Sequence, residues 1–224
     1  MNYKLTYSKR KTLALYIRGG RLEVRAPLKM PKSEIDKFVA SKEKWIKDNL
    51  AASAVRQEQR KSFVLTCGDN ILYRGKQYPI AAKDGTRAGF DDTRFYMPPG
   101  LSSDIIKHIC VQTYRILARR DLTEKTISFA KQMAVMPAAV KINGAATRWG
   151  SCSGKNSINF SWRLIMADDD VIDYVVVHEL AHIKEHNHSN KFWTIVAAAL
   201  PDYKERQAKL RELQKRLSVE DWGR

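Results

Sequence analysis

The chain is expected to be α+β: a smaller β-rich N-terminal region, then a domain with a mixed sheet and one helix bearing the pattern His-Glu-x-x-His. Three observations predict this. Apolar residues alternate with polar ones around glycine turns in the first hundred residues. After Gly100 the apolar spacing turns helical, with short strands interspersed. Four of the five histidines then fall within residues 178–188, directly after Val175-Val176-Val177.

The elements follow in order. "KTLALYIRGGRLEVRAP" places Leu13, Leu15 and Ile17 before Gly19-Gly20, and Leu22 and Val24 after it, which predicts a hairpin. "SEIDKFVASKEKWIKDNL" opens with Ser33 and Asp36 at capping-box spacing and continues with Ile35, Phe38, Val39, Trp45, Ile46 and Leu50 on one helical face. The polar stretch 51–62 reads as a connector to a second hairpin turning near Arg74-Gly75-Lys76, and "GFDDTRFYMPPG" as one more short strand. Residues 102–133 read as a helix with Ile105, Ile106, Ile109, Thr113, Ile116 and Leu117 on one side. "AAVKI", "AATRWGS" and "SINFSWRLI" read as strands, followed by the histidine helix and two further helices. The change of texture sets a boundary near residue 100, dividing a basic region 1–100 from a chemistry-bearing domain 101–224.

The bulk numbers narrow the function classes. A chain of 224 residues with 44% hydrophobic content suits a folded protein with a real core. No apolar run approaches the roughly 20 residues of a membrane helix, and the N-terminus lacks a signal-peptide core, so no membrane association is expected. Three scattered cysteines, Cys67, Cys110 and Cys152, argue against a disulfide framework and for a reducing cytoplasm. Forty Lys+Arg against 24 Asp+Glu give a net charge of +16, with 21 basic and 10 acidic side chains in residues 1–100. Such a field favours DNA or another polyanion as a partner through the basic surface.

The histidine helix carries the chemistry. His178 and His182 are four apart, so their imidazoles share one helix face and can hold one ion. Glu179, beside the first ligand, is placed to hold a zinc-activated water, take its proton and hand it to a leaving amine. Asp168, Asp169 and Asp170 suit the helix N-terminus, and the valine run requires that packing hold the helix. His188 is the expected third ligand: Asn187 tolerates the left-handed backbone that reverses a chain, and Ser189 is a natural cap for the next helix. His186 is more simply a solvated side chain at a helix end. The competing reading is a structural zinc closed by Cys152 as fourth ligand, which would leave Glu179 without a purpose. Cys152 as a nucleophile is weaker still.

The segments "TRWGSC", "INFSWRLI", "VIDYVVVHELAHIKEHNHSNKFW" and "LPDYKER", with "RGGRLEVRAPLKMPKSEIDKFVASKEKWI" and "YRGKQYPI" nearer the N-terminus, resemble the YgjP-like metallopeptidases, relatives of the SprT-like and WLM zincins. The resemblance implies a zincin-like domain and a zinc peptidase with one zinc per chain, ligands His178, His182 and His188, general base Glu179 and a protein or peptide substrate. Two positions depart from it: Ser161 stands where asparagine is expected, and Ala167-Asp168 where Ala-Pro is expected. The histidine spacing equals that of metzincins, but Glu185 replaces their glycine and no methionine follows His188, so a Met-turn is excluded.

An extended substrate that adds to a sheet edge would use "SINFSWRLI", with Asn159, Ser161 and Arg163 as contacts and Tyr203 as a candidate donor to an oxyanion. Phe192, Trp193 and Trp149 read as core. The contrasting expectation is a basic nucleic-acid-binding module whose zinc is structural or catalytically silent; a peptidase acting on nucleic-acid-associated proteins combines the two.

Overall fold

Alternation around Gly19-Gly20 does produce a hairpin. Strands β1 (Lys4–Ser8), β2 (Ala14–Arg18) and β3 (Arg21–Pro27) form a sheet in the order β1-β3-β2, with β1 parallel and β2 antiparallel to β3. Leu22, Val24 and Ala26 point to one face and form a core with Ile35 and Val39 of helix α1 (Lys32–Ser41) and Ile46 of helix α2 (Glu43–Lys61). The structure, a computed structural model describing residues 2–223, comprises two compact units. This first one extends to Phe63 and takes in Ser218–Asp221; the second is Val64–Leu217 with Trp222.

Two local expectations are corrected here. The single helix from Ser33 is two helices, because Lys42 (φ −109°, ψ 17°) interrupts it. No capping box forms: Pro31 occupies the N-cap without a side-chain bond, and Asp36 instead accepts from Lys32 (3.0 Å) and from the Tyr3 hydroxyl. The polar stretch after Leu50 is helical to Lys61, since Ala, Arg, Gln and Lys are strong helix formers even without an apolar stripe. Trp45, placed on the buried face by its spacing, is 43% exposed.

In the second unit, β4 (Asn70–Tyr73), β5 (Lys76–Ala82), β6 (Gly89–Phe90) and β7 (Phe95–Met97) form a sheet in the order β4-β5-β7-β6. The β4–β5 turn has positive φ at both Arg74 (50°) and Gly75 (75°), the geometry that suits a two-residue hairpin. Strands β6 and β7 pack on helix α3 (Ser103–Gln132), which is why the division between the compact units falls at residue 63 while the change of sequence texture falls near 100. The buried stripe of α3 runs through Ile106, Cys110, Tyr114, Leu117, Ala118 and Leu122; Ile105 and Ile116, expected on it, are 47% and 70% exposed. The helix is apolar on more than one side, so periodicity alone chose the wrong edge of the stripe.

A second sheet contains β8 (Ala139–Asn143), β9 (Gly150–Cys152) and β10 (Ser157–Ser161) in the order β8-β10-β9, with β8 parallel and β9 antiparallel to β10. "AATRWGS" is therefore mostly loop, and "SINFSWRLI" divides into β10 and a 3-10 turn, Trp162–Met166. β10 is the central strand, paired on both sides, so the free edge beside the histidine helix belongs to β9.

Helices α4 (Asp169–Lys184), α5 (Asn190–Ala199) and α6 (Tyr203–Leu217) complete the unit. α4 is buried along Val171, Ile172, Val175, Val176, Val177, Leu180 and Ala181. Its start is tied down from several directions. Arg74 N–H donates to the Ile165 carbonyl (2.8 Å), and the Arg74 guanidinium forms two 2.8 Å bonds to Asp169. Lys125 donates to Asp173 and Lys209 to Asp170, each at 2.6 Å. Gly75 has to be glycine twice over: its φ is left-handed, and a Cβ would lie 1.8 Å from Asp168 Oδ1. Among the described residues no helix is long and apolar enough to cross a membrane.

Candidate metal centre

His178 and His182 project from α4 one turn apart. The helix stops at Glu185, whose backbone is extended (φ −141°, ψ 107°). The chain then reverses through a side-chain turn, Asn187 Oδ1 accepting from Ser189 N–H at 2.9 Å, instead of the left-handed Asn187 expected from the sequence. Ser189 caps α5 as anticipated, its hydroxyl accepting from Phe192 N–H at 3.4 Å. This reversal returns His188 to the face of α4.

One ring nitrogen from each of His178, His182 and His188 falls within 4.8 Å of the others, and the Nε2 atoms of His178 and His188 are 3.1 Å apart. Nitrogens bound to one tetrahedral zinc at 2.0–2.1 Å stand about 3.3 Å from one another, so the cluster has the dimensions of a metal site. His182 Nδ1 is 3.2 Å from the Glu185 carbonyl, an acceptor, so Nδ1 donates and Nε2 keeps its lone pair. Burial, reinforced by His182 and His188, depresses the His178 pKa to about 3, and burial also lowers that of His182. Both imidazoles are thus held in the neutral form that binds metal. The fully buried Phe192 ring is the floor, with centroids 4.9, 4.6 and 4.8 Å from those of His178, His182 and His188. Trp193 stacks on His188 at 5.8 Å and Tyr203 on Trp193 at 5.3 Å, bracing the most exposed of the three. Cys152 and the exposed His186 stand outside the cluster.

Glu179 is 5% exposed and packs against β9. Gly150 makes that possible: a Cβ there would lie 2.5 Å from Glu179 Oε1 and 2.6 Å from Cγ. Burial raises the Glu179 carboxyl to about 7, with Arg148 opposing. Glu179 Oε2 and His178 Nδ1 are buried atoms that find no partner within the protein. Unsatisfied buried polar atoms are rare and costly, so the unpartnered Glu179 Oε2 beside the histidine cluster is open to a group from outside the chain.

The chain matches the YgjP-like, metallopeptidase domain family over residues 11–213. It belongs to the YgjP-like metallopeptidases. Membership makes it a peptidase, a hydrolase acting on proteins or peptides, and implies a metal ion, typically zinc. No curated protein matches it. Solved structures that are similar over part of the chain include two metallopeptidase zymogens. The crystal structure of the metallopeptidase zymogen of Pyrococcus abyssi abylysin is 21% identical, covering 41% of this chain and 92% of its own, with a TM-score of 0.38. That of the metallopeptidase zymogen of Methanocaldococcus jannaschii jannalysin is 19% identical, covering 41% and 95%, with a TM-score of 0.38.

In this YgjP-like peptidase, the other residues singled out from sequence take these places. Ser161 is 1% exposed; its hydroxyl donates to the Ala145 carbonyl (2.7 Å) and accepts from Arg163 N–H (3.3 Å). Arg163 donates to the Gly144 carbonyl at 2.9 Å. These two thus hold the loop that leads into β9. Asn159 sits mid-strand in β10, opposite Lys141 on one side and Ser151 on the other. Sequence reasoning missed Gly150, because nothing in "RWGSC" says that the glycine leaves room for a carboxylate twenty-nine residues further along.

Proposed function

We propose that this peptidase is a zinc-dependent endopeptidase with one zinc per chain, held by His178, His182 and His188, with Glu179 as general base. The observation carrying this reading is the pairing of three convergent imidazoles with an adjacent buried carboxylate whose Oε2 has no protein partner. A divalent ion at the imidazoles supplies Lewis acidity, which makes water nucleophilic near neutral pH. Glu179 accepts the proton from that water and delivers it to the departing amine; its burial raises its basicity for this transfer. Gly150 and the rest of β9 keep the carboxylate in one orientation, and Phe192 keeps water from reaching the rings from below.

The free edge of β9 suits an extended peptide bound through main-chain hydrogen bonds. For the substrate-facing residues named from sequence we propose roles in shaping that edge. Ser161 and Arg163 fix the entering loop, Asn159 supports β9 from the adjoining strand, and Tyr203 acts on the far side through Trp193. The charge of +16 extends the reading to substrates held on nucleic acid. Three unpaired cysteines support a reducing, cytoplasmic setting.

The test combines metal analysis with digestion of a mixed pool of unfolded proteins. The wild type should contain about one zinc per chain and cleave. Glu179→Gln should keep the zinc and lose cleavage. Stable zinc binding without cleavage by the wild type would favour a silent zinc site in a binding module.

A further inference from the structure

The first unit carries a feature unrelated to the metal centre. Residues 2–63 hold 16 Lys+Arg and only 6 Asp+Glu. Strand alternation sorts these charges. With Leu22, Val24 and Ala26 turned to the core, the opposite face of the sheet shows Arg21, Glu23 and Arg25 from β3, Tyr16 and Arg18 from β2, and Lys4 from β1.

Three details separate this face from an ordinary solvated one. Arg18 and Arg21 are directly opposed across the β2–β3 ladder, an arrangement of like charges that destabilises a sheet. A cost kept at a solvent-facing position marks a functional surface. Second, the guanidinium carbons of Arg18 and Arg25 both lie 5.2 Å from the centre of the Tyr16 ring. An aromatic ring orders two cations without neutralising them, so their charge stays available to an anion. Third, carboxylates are scarce: Glu23 reaches Arg18 only at 4.0 Å, and among the described residues neither Lys4, Arg21 nor Arg25 has an ion-pair partner. At the end of the sheet an open hollow of about 580 Å³ is bordered by Lys4, Arg18, Arg21 and Glu23, with Leu22 and Leu50 on its apolar side.

We infer that this face of the first sheet binds single-stranded nucleic acid, with Lys4, Arg18, Arg21 and Arg25 meeting phosphates and the Tyr16 ring among them offering a planar group to unstacked bases. A three-stranded face is too broad for the major groove of a duplex, which admits a helix or a two-stranded ribbon. Splayed bases stack on aromatic rings and arginine planes. Charge alone would also suit an acidic peptide or an anionic membrane; the aromatic ring set among the arginines is what favours nucleic acid.

The test is fluorescence anisotropy of the full chain with a labelled single-stranded oligonucleotide of about 20 nucleotides, titrated at several salt concentrations. Arg18→Gln/Arg21→Gln/Arg25→Gln should weaken binding about tenfold or more and flatten the slope of log K against log salt by about 2, since each phosphate contact on a single strand contributes about 0.7. Tyr16→Leu should weaken binding about two- to fivefold with the slope unchanged, because the cations remain. The control Lys37→Gln/Lys44→Gln/Arg56→Gln removes the same charge from α1 and α2 and should leave most of the affinity. Unfolding curves check that each variant folds. Equal losses in both triple variants, a flat salt response, tighter binding of duplex, or preferential binding of a polyglutamate peptide or phosphatidylserine vesicles would each overturn the inference. The readout requires neither zinc nor cleavage, so it fails or succeeds independently of the proposed peptidase mechanism.

Discussion

Gly150 and the Glu179 carboxylate are in such close packing that even a methyl group on Gly150 would lie 2.5 Å from Oε1 and 2.8 Å from Cδ. The clash takes in the Cγ methylene at 2.6 Å as well as the carboxylate, so the whole Glu179 side chain would have to shift. Gly150→Ala should therefore leave zinc content unchanged while kcat falls about 100-fold, the size of effect expected from displacing a reacting group by about an ångström. Paired zinc analysis and steady-state kinetics check this; near-normal kcat would mean that the carboxylate has room elsewhere.

His188 and His186 are two residues apart and have different fates. His188→Ala should weaken zinc binding more than about 100-fold, beyond the 10- to 100-fold loss typical of an outer partner. His186→Ala should leave it unchanged, as its side chain is exposed and outside the cluster. Competition with a chelating indicator measures both.

Phe192 supports all three imidazoles and is fully buried. Phe192→Ala should destabilise the protein by about 3–5 kcal/mol through the cavity it leaves. It should also loosen zinc binding, because the rings lose their common floor. Denaturant unfolding and zinc competition report the two effects, and a stability loss with unaltered zinc affinity would refute the supporting role.

Asp169 receives both Arg74 bonds and lies 3.6 Å from Lys125. Burial raises its pKa, but the bonds and charges of Arg74 and Lys125 outweigh this and hold the carboxyl below its ordinary value. A depressed folded pKa means that the pair stabilises the native state above the unfolded pKa and loses that contribution as pH falls through the folded one. Asp169→Asn should be less stable than the wild type at pH 7, and the two should converge below about pH 4. The difference should be modest, since both side chains are more than a third exposed. Thermal melts across pH measure it.

Much of the site was legible because its chemistry is local. A four-residue spacing puts His178 and His182 on one face of any helix, and Ser189 caps whatever helix follows it. The hairpins at Gly19-Gly20 and Arg74-Gly75 were legible for the same reason: a tight turn and a period-two pattern act within a few residues. Errors arose where several choices were locally equal. The stripe of α3 could have run through Ile116 or through Tyr114, and only the sheets and helices packed on it chose Tyr114. Likewise β10 reads as a strand from its own residues, but whether it is central or at an edge depends on β8 and β9.

The sequence by itself determined the proposed chemistry, the helix on which two of the three clustered histidines share a face, and the alternation that gathers arginines on one sheet face, since each follows from backbone geometry over a single turn or strand. Only the tertiary structure decided that β9, not β10, lies at the free edge, that Gly150 leaves space for Glu179, and that Phe192 lies beneath three imidazoles at once. Those relationships join residues far apart in the chain, and they are settled by which surfaces fit together when the apolar faces leave water, a choice that no short stretch encodes.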